Sequence, residues 1–189
     1  MPGPERTGDA ASAGPAGPAV GTGPAAGMDP AALHAALRAR GQTVAAAESL
    51  TGGLLAARLT ETPGASETFR GGLVVYAADL KASLAGVPVP LLDAHGPVSP
   101  DVAGALAAGV RDRLGATYGL ALTGVAGPDR QDGVPVGTVY VAVAAAGTGE
   151  VRRLELSGDR AQIRSAAVDA ALALLASWLT DRASAAGSG

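Results

Sequence analysis

The chain has 189 residues, 48% of them hydrophobic and 3% aromatic, with a formal net charge of −3 and a pI of about 5.3. That length allows one domain with a sizeable core built from Ala, Val and Leu. The absence of cysteine excludes disulfides, thiolate nucleophiles and cysteine metal sites. The acidic balance, with no basic run, disfavours a nucleic-acid or anionic-membrane surface. No uninterrupted apolar span long enough to cross a bilayer is evident, and the N-terminus lacks a charged-then-apolar signal pattern, so a cytoplasmic location is expected.

Residues 1–28 are mostly Gly, Pro, Ala, Ser and Thr. They cannot bury enough apolar surface to offset ordering entropy, which predicts a disordered tail. The domain is expected over residues 29–181, with a second tail over 182–189. Asp29-Pro30 reads as an N-cap followed by a first-turn proline. Leu33 and Leu37 make one apolar stripe ended by Gly41, and His34 is expected at the surface. Thr43 to Ala47 predicts a short strand buried on both faces. Glu48, Ser49, Leu50, Thr51, Gly52 and Gly53 form a polar turn, and a helix follows to about Glu61.

Gly71 to Tyr76 predicts a second buried strand, and Ala78 to Leu84 a short helix carrying Lys81. Pro88 and Pro90 predict an irregular stretch up to His95-Gly96. Ser99-Pro100-Asp101 is a strong helix start, with Gly115 closing the helix after Leu114. Tyr118 to Leu122 predicts a third strand, running into Thr123-Gly124-Val125-Ala126-Gly127-Pro128. After a polar loop, Gly137 to Ala145 predicts a long strand, and Gly147-Thr148-Gly149 turns it into a half-exposed edge strand over Val151–Leu156. The last helix is expected from about Asp159 to Leu179. The order α-β-α-β-α-α-β-β-β-α predicts the α/β class: a single-domain three-layer α/β/α sandwich with a mixed, mostly parallel sheet.

Three polar clusters end the first three strands: Glu48-Ser49-x-Thr51, Tyr76 with Lys81 soon after, and Thr123-Gly124. If those strands are parallel, all three clusters meet at the carboxyl edge, where open α/β sheets bind ligands. Lys81 is the only lysine among fourteen basic residues. Arg cannot act as a base, whereas a desolvated Lys can. A serine whose proton passes to a neutral lysine is a known form of nucleophilic catalysis. Backbone N–H groups at Gly52, Gly53 or around Gly124 are candidates for the oxyanion site. The competing reading of Ser49 or Thr51 is a simple helix cap. Tyr76 reads equally as a proton relay or a solvated strand-end aromatic. No spacing suggests a metal site, and Gly124-x-x-Gly127-Pro128 lacks the dinucleotide pattern, leaving it a tight loop or a backbone wall against a ligand.

Ala47-Glu48-Ser49-x-Thr51-Gly52-Gly53, Tyr76 with Lys81, His95-Gly96-x-Val98-Ser99, Gly124-x-Ala126-Gly127-Pro128 and Pro135-Val136-Gly137-Thr138-Val139 follow one another in an order and spacing that resembles the CinA (competence/damage-inducible protein A) C-terminal domain family. That family includes the nicotinamide-mononucleotide amidohydrolases. The resemblance spans nearly all of Asp29 to Leu179. It implies an α/β/α domain that hydrolyses the amide of nicotinamide mononucleotide to nicotinate mononucleotide and ammonia, with no metal and no cofactor. Ser49 and Lys81 match the family's proposed catalytic pair, with Tyr76 and Thr123 nearby. The substrate-binding residues expected on this reading are Glu48, Thr51, Gly52, Gly53, Gly124, Ala126 and Gly127. The implied partner is a small pyridine nucleotide, with no nucleic acid and no membrane; a homo-oligomer stays open. Three departures stand out: Leu50 where a Cys is common, Ala77-Ala78 where Ser-Asn is frequent, and Val134 where a lysine usually precedes Pro-Val-Gly-Thr. They keep two alternatives in view, a non-catalytic nucleotide-binding module of the same fold and an amidase for another small amide.

Overall fold

The computed structural model describes residues 29–186, with side chains through Asp181. The tail expected over 1–28 lies outside the described residues. Among the described residues, six helices and five strands follow one another as α1 (Pro30–Arg38), β1 (Val44–Glu48), α2 (Leu54–Thr60), β2 (Phe69–Val74), α3 (Ala78–Ser83), α4 (Val89–His95), α5 (Pro100–Leu114), β3 (Tyr118–Gly124), β4 (Thr138–Ala145), β5 (Thr148–Glu155) and α6 (Arg160–Ala186), with a 3-10 turn at Ala65–Glu67. The strands form one sheet in the order β2-β1-β3-β4-β5. β1 pairs parallel with β2 and β3, while β3–β4 and β4–β5 are antiparallel. All strands except β4 therefore run the same way. β1, β2, β3 and β5 all end at one edge.

Both sheet faces are covered, which makes the three layers. On one face Leu33, Leu37, Leu55, Leu59, Ile163 and Leu172 of α1, α2 and α6 pack on Val44, Leu120 and Val141. On the other, Val102, Leu106 and Val110 of α5 pack on Ala45, Ala121 and Ala142. With few aromatics available, small residues let the layers close. At Gly119 an added Cβ would sit 1.9 Å from the carbonyl oxygen of Ala107, so α5 lies directly on β3 with no room for a side chain.

Local signals explain most element ends. Asp29 accepts from the N–H of Ala31 (2.9 Å) and Ser99 from that of Val102 (3.3 Å), each ahead of a first-turn proline. Gly115 ends α5 in the left-handed region at φ 59°.

Several expectations are corrected. Pro88 and Pro90 do not keep the chain irregular: they open α4, because proline fits the first helical turn, where the missing N–H has no intrahelical partner anyway. β2 starts two residues earlier than expected and is an edge strand with alternate residues exposed. β5 begins at Thr148, since a two-residue turn at Ala146-Gly147 suffices. His34 is only 1% exposed: Nε2 donates to the Leu59 carbonyl (2.7 Å), and Nδ1 lies 2.5 Å from Thr68 Oγ1. Finally, α6 continues through Ala186, past the expected boundary at 182, because no helix breaker precedes Gly187. Its Arg160–Asp181 stretch is long and apolar enough by composition to cross a bilayer, unlike the reading above, but half of it is buried in the fold, as suits a core helix.

Candidate active site

The turn after β1 is shaped by Glu48. Its carboxylate accepts three backbone N–H groups at the start of α2: Gly53 (3.0 Å) and Leu55 (3.0 Å) on one oxygen, Ala56 (2.8 Å) on the other. A buried carboxylate at a helix N-terminus meets the helix dipole and the free N–H groups together. It also leaves the helix start already occupied by an anion. The N–H of Gly52 donates to the Ser49 carbonyl (3.1 Å), closing the turn, and Gly53 enters α2 at φ 101°. The N–H groups of Gly52 and Gly53, expected to meet an oxyanion, are thus both engaged within the turn. Those of Leu50 and Thr51 have no hydrogen-bond partner among the described residues.

Ser49 stands at the exit of β1 and Lys81 rises from α3 to meet it. Lys81 is 1% exposed, and its Nζ lies 3.1 Å from Ser49 Oγ, 2.8 Å from the Val75 carbonyl and 3.5 Å from that of Tyr76. Its hydrogen-bond partners are thus a hydroxyl and two backbone carbonyls, and no carboxylate is among them. Burial without a counter-charge disfavours the ammonium and lowers the lysine pKa to about 8. A neutral amine has two N–H donors and one lone pair. Two carbonyls and one serine hydroxyl match that inventory.

These two side chains open on a cavity of about 100 Å³. Of the residues singled out from sequence, Ser49, Tyr76, Lys81, Gly124 and Ala126 line it. Glu48, Thr51, Gly52, Gly53, Thr123 and Gly127 do not, though they build its surroundings. Thr51 is fully buried with its hydroxyl unpartnered, and Thr123 is buried with its hydroxyl donating to the Pro97 carbonyl (2.7 Å). Tyr76 is 58% exposed at the rim, where its hydroxyl accepts from Arg160 Nη2 (2.9 Å). Gly127 is tied to the same arginine, its carbonyl accepting from Nη1.

Sequence reasoning missed Arg160 and Gln131, which line the cavity, and Arg164, which donates to the carbonyls of Leu50 (3.0 Å) and Thr51 (2.7 Å). A signal for the arginines existed. β5 runs in the same direction as β1, so the start of α6 returns to the edge that carries Ser49. The cavity lining contains two basic side chains, Lys81 and Arg160, and no carboxylate. Among the described residues no group of three or more His, Asp or Glu side chains could hold a metal ion.

A serine on a strand-to-helix turn, with a buried lysine on its hydroxyl at the carboxyl edge of a mixed sheet, defines an α/β domain organised around a Ser–Lys pair. The sequence profile of the CinA C-terminal domain matches residues 29–179, and the chain belongs to that family. It is 57% identical over 136 residues to a CinA-like protein of Frankia casuarinae, covering 72% of this chain and 31% of the relative. It is 48% identical over 143 residues to one of Myxococcus xanthus, covering 74% and 34%. The chain thus spans about a third of the length of these curated relatives. The crystal structure of a competence or damage-inducible protein from Enterobacter asburiae superposes with a TM-score of 0.77 at 33% identity, over 79% of this chain and 95% of that one. A CinA superfamily protein from Escherichia coli gives 0.75 at 32% identity, over 77% and 86%.

Proposed function

We propose that this domain hydrolyses the carboxamide of nicotinamide mononucleotide, giving nicotinate mononucleotide and ammonia. The observation that carries the chemistry is the placement of Lys81: two carbonyls fix its amine and the remaining direction faces Ser49 Oγ. In the neutral form its lone pair accepts the Ser49 proton as Oγ attacks the carboxamide carbon. The tetrahedral oxyanion is held by backbone N–H groups, of which Leu50, next to the nucleophile and lining the cavity, is the best placed. Lys81 returns the proton to the amine nitrogen, the C–N bond breaks and ammonia leaves an acyl-serine. Water, deprotonated by the same lysine, then attacks the ester and releases the carboxylate with regeneration of Ser49.

The substrate rests on the family resemblance, supported by the charge of the lining. A lining with Arg160 and no carboxylate suits an anionic ligand, and Arg160 at the rim is the fixed charge available to a phosphate. The start of α2 is not, because Glu48 fills it. Binding through such a remote group would orient the amide and raise turnover over that of free nicotinamide.

The test is incubation of the purified chain with nicotinamide mononucleotide in the presence of a chelator, with separation of the two mononucleotides, alongside Ser49→Ala and Lys81→Arg. Product from the parent and its loss in both variants is expected. Tight binding with no product from the parent overturns the reading in favour of a nucleotide-binding module. Equal turnover by Lys81→Arg overturns the dyad.

A further inference from the structure

The two N–H groups free beside the nucleophile both belong to a short network of peptides that begins at Arg164. In a trans peptide the C=O and the following N–H point in opposite directions. Arg164 Nε draws the Leu50 carbonyl toward α6 (3.0 Å), which turns the Thr51 N–H away from that helix. Its Nη2 draws the Thr51 carbonyl the same way (2.7 Å). The N–H across that second peptide, Gly52, donates to the carbonyl of Ser49 (3.1 Å), and the N–H across from that carbonyl is Leu50. Each link both orients and polarises the next, since a hydrogen bond to a carbonyl from a charged donor strengthens the N–H of the same amide. The guanidinium thus acts on the Leu50 amide through two peptides and on the Thr51 amide through one.

We propose that Arg164 is a positioning residue for the reaction, fixing and polarising the turn after Ser49, including the Leu50 amide at the cavity wall that holds the developing oxyanion. This rests on the amide-hydrolase reading above. Arg164 is absent from the lining of the cavity that contains Ser49 and is half-buried behind the turn. It does line a separate groove of about 600 Å³ between α2 and α6, together with Arg58, Leu54, Ala57 and Val168. That groove gives a small guanidinium compound a route to the space left by truncating Arg164. Arg58, on the facing helix, has no hydrogen bond to the turn: it pairs with Glu61 at 3.3 Å.

The experiment measures kcat and KM for nicotinamide mononucleotide in Arg164→Ala and Arg58→Ala, with and without added ethylguanidine, and backbone amide exchange over residues 50–53. Arg164→Ala should lower kcat by about 10²-fold, as for a lost oxyanion donor, with KM within about threefold of the parent. Ethylguanidine should recover a measurable part of kcat, and amide exchange should quicken in the 50–53 turn alone. Arg58→Ala should match the parent. A rise in KM with kcat intact, failure of ethylguanidine to restore kcat in a folded variant, or faster exchange throughout the chain would overturn the proposal. If the parent itself gives no product, the hydrolase reading fails separately. Exchange at 50–53 then decides Arg164's hold on the turn, and unchanged exchange overturns it.

Discussion

The hydroxyl of Thr123 donates to the carbonyl of Pro97 at 2.7 Å, so the end of β3 holds the loop that enters α5. Pro97 and Val98 form one wall of the cavity, and the next residue, Ser99, caps α5. The residue singled out from sequence as part of the catalytic group thus has its proton committed to the scaffold in this structure.

Replacing Thr123 by Val keeps the shape and removes that donor. The Pro97 carbonyl loses its partner, at a cost of about 1–3 kcal/mol if it stays dry. The expected result is a folded protein with a lower melting temperature and kcat/KM reduced by about tenfold, read by thermal unfolding and steady-state kinetics. Unchanged values for both would show that the loop is held without this bond.

The position of Lys81 sets the pH response. With its pKa at about 8, about a tenth of the lysine is neutral near pH 7 and about nine-tenths near pH 9. A rate that needs the neutral amine should therefore climb about tenfold across that interval and level off above it. Steady-state rates at fixed ionic strength check this. A flat profile would remove Lys81 as the base.

The same lysine links folding to pH with a definite sign. Its folded pKa, about 8, lies below the unfolded value of 10.5, so between them the unfolded chain binds more protons. The cost of burying the ammonium is fully present below the folded pKa and is relieved as pH rises toward the unfolded one. Stability should increase over that window, by up to about 3 kcal/mol from this group. Lys81→Met should abolish the increase and stabilise the protein near neutrality while eliminating turnover. Denaturant titrations at two pH values measure it.

Glu48→Gln tests the start of α2. An amide offers one acceptor oxygen and turns an NH₂ toward a backbone N–H, where the carboxylate served three. The expected loss is about 2–4 kcal/mol, with turnover falling further than stability because the Ser49 turn shares those bonds. Chemical denaturation and kinetics on the folded variant separate the two effects.

The sequence carried the layers, the closing hairpin and the Ser49–Lys81 meeting, because each of the first three strands ends in a polar cluster and parallel pairing puts those ends at one edge. It misplaced His34, whose helix looked solvated on one side. The elements that bury it, the end of α2 and the residue before β2, come together only in the tertiary fold. The family resemblance placed Glu48 among the substrate contacts, whereas its carboxylate is taken up by the start of α2. Nothing local shows that the chain folds back to present three N–H groups to it. Arg160 and Arg164 were passed over for a related reason: a charged residue at the start of an amphipathic helix reads as solvated face until the strand count places it over the site.

The close contact of α5 with β3 at Gly119 gives the site an uneven capacity for change. One wall, Pro97 and Val98, is held by the Thr123 hydroxyl, by the Ser99 cap and by a helix with no slack beneath it. The opposite rim is made by the side chains of Tyr76, Gln131 and Arg160, on exposed positions that can be exchanged without disturbing a core. Adaptation to a different amide would therefore be written on that rim, and variants selected for new substrates should accumulate there while the Pro97 side stays as it is.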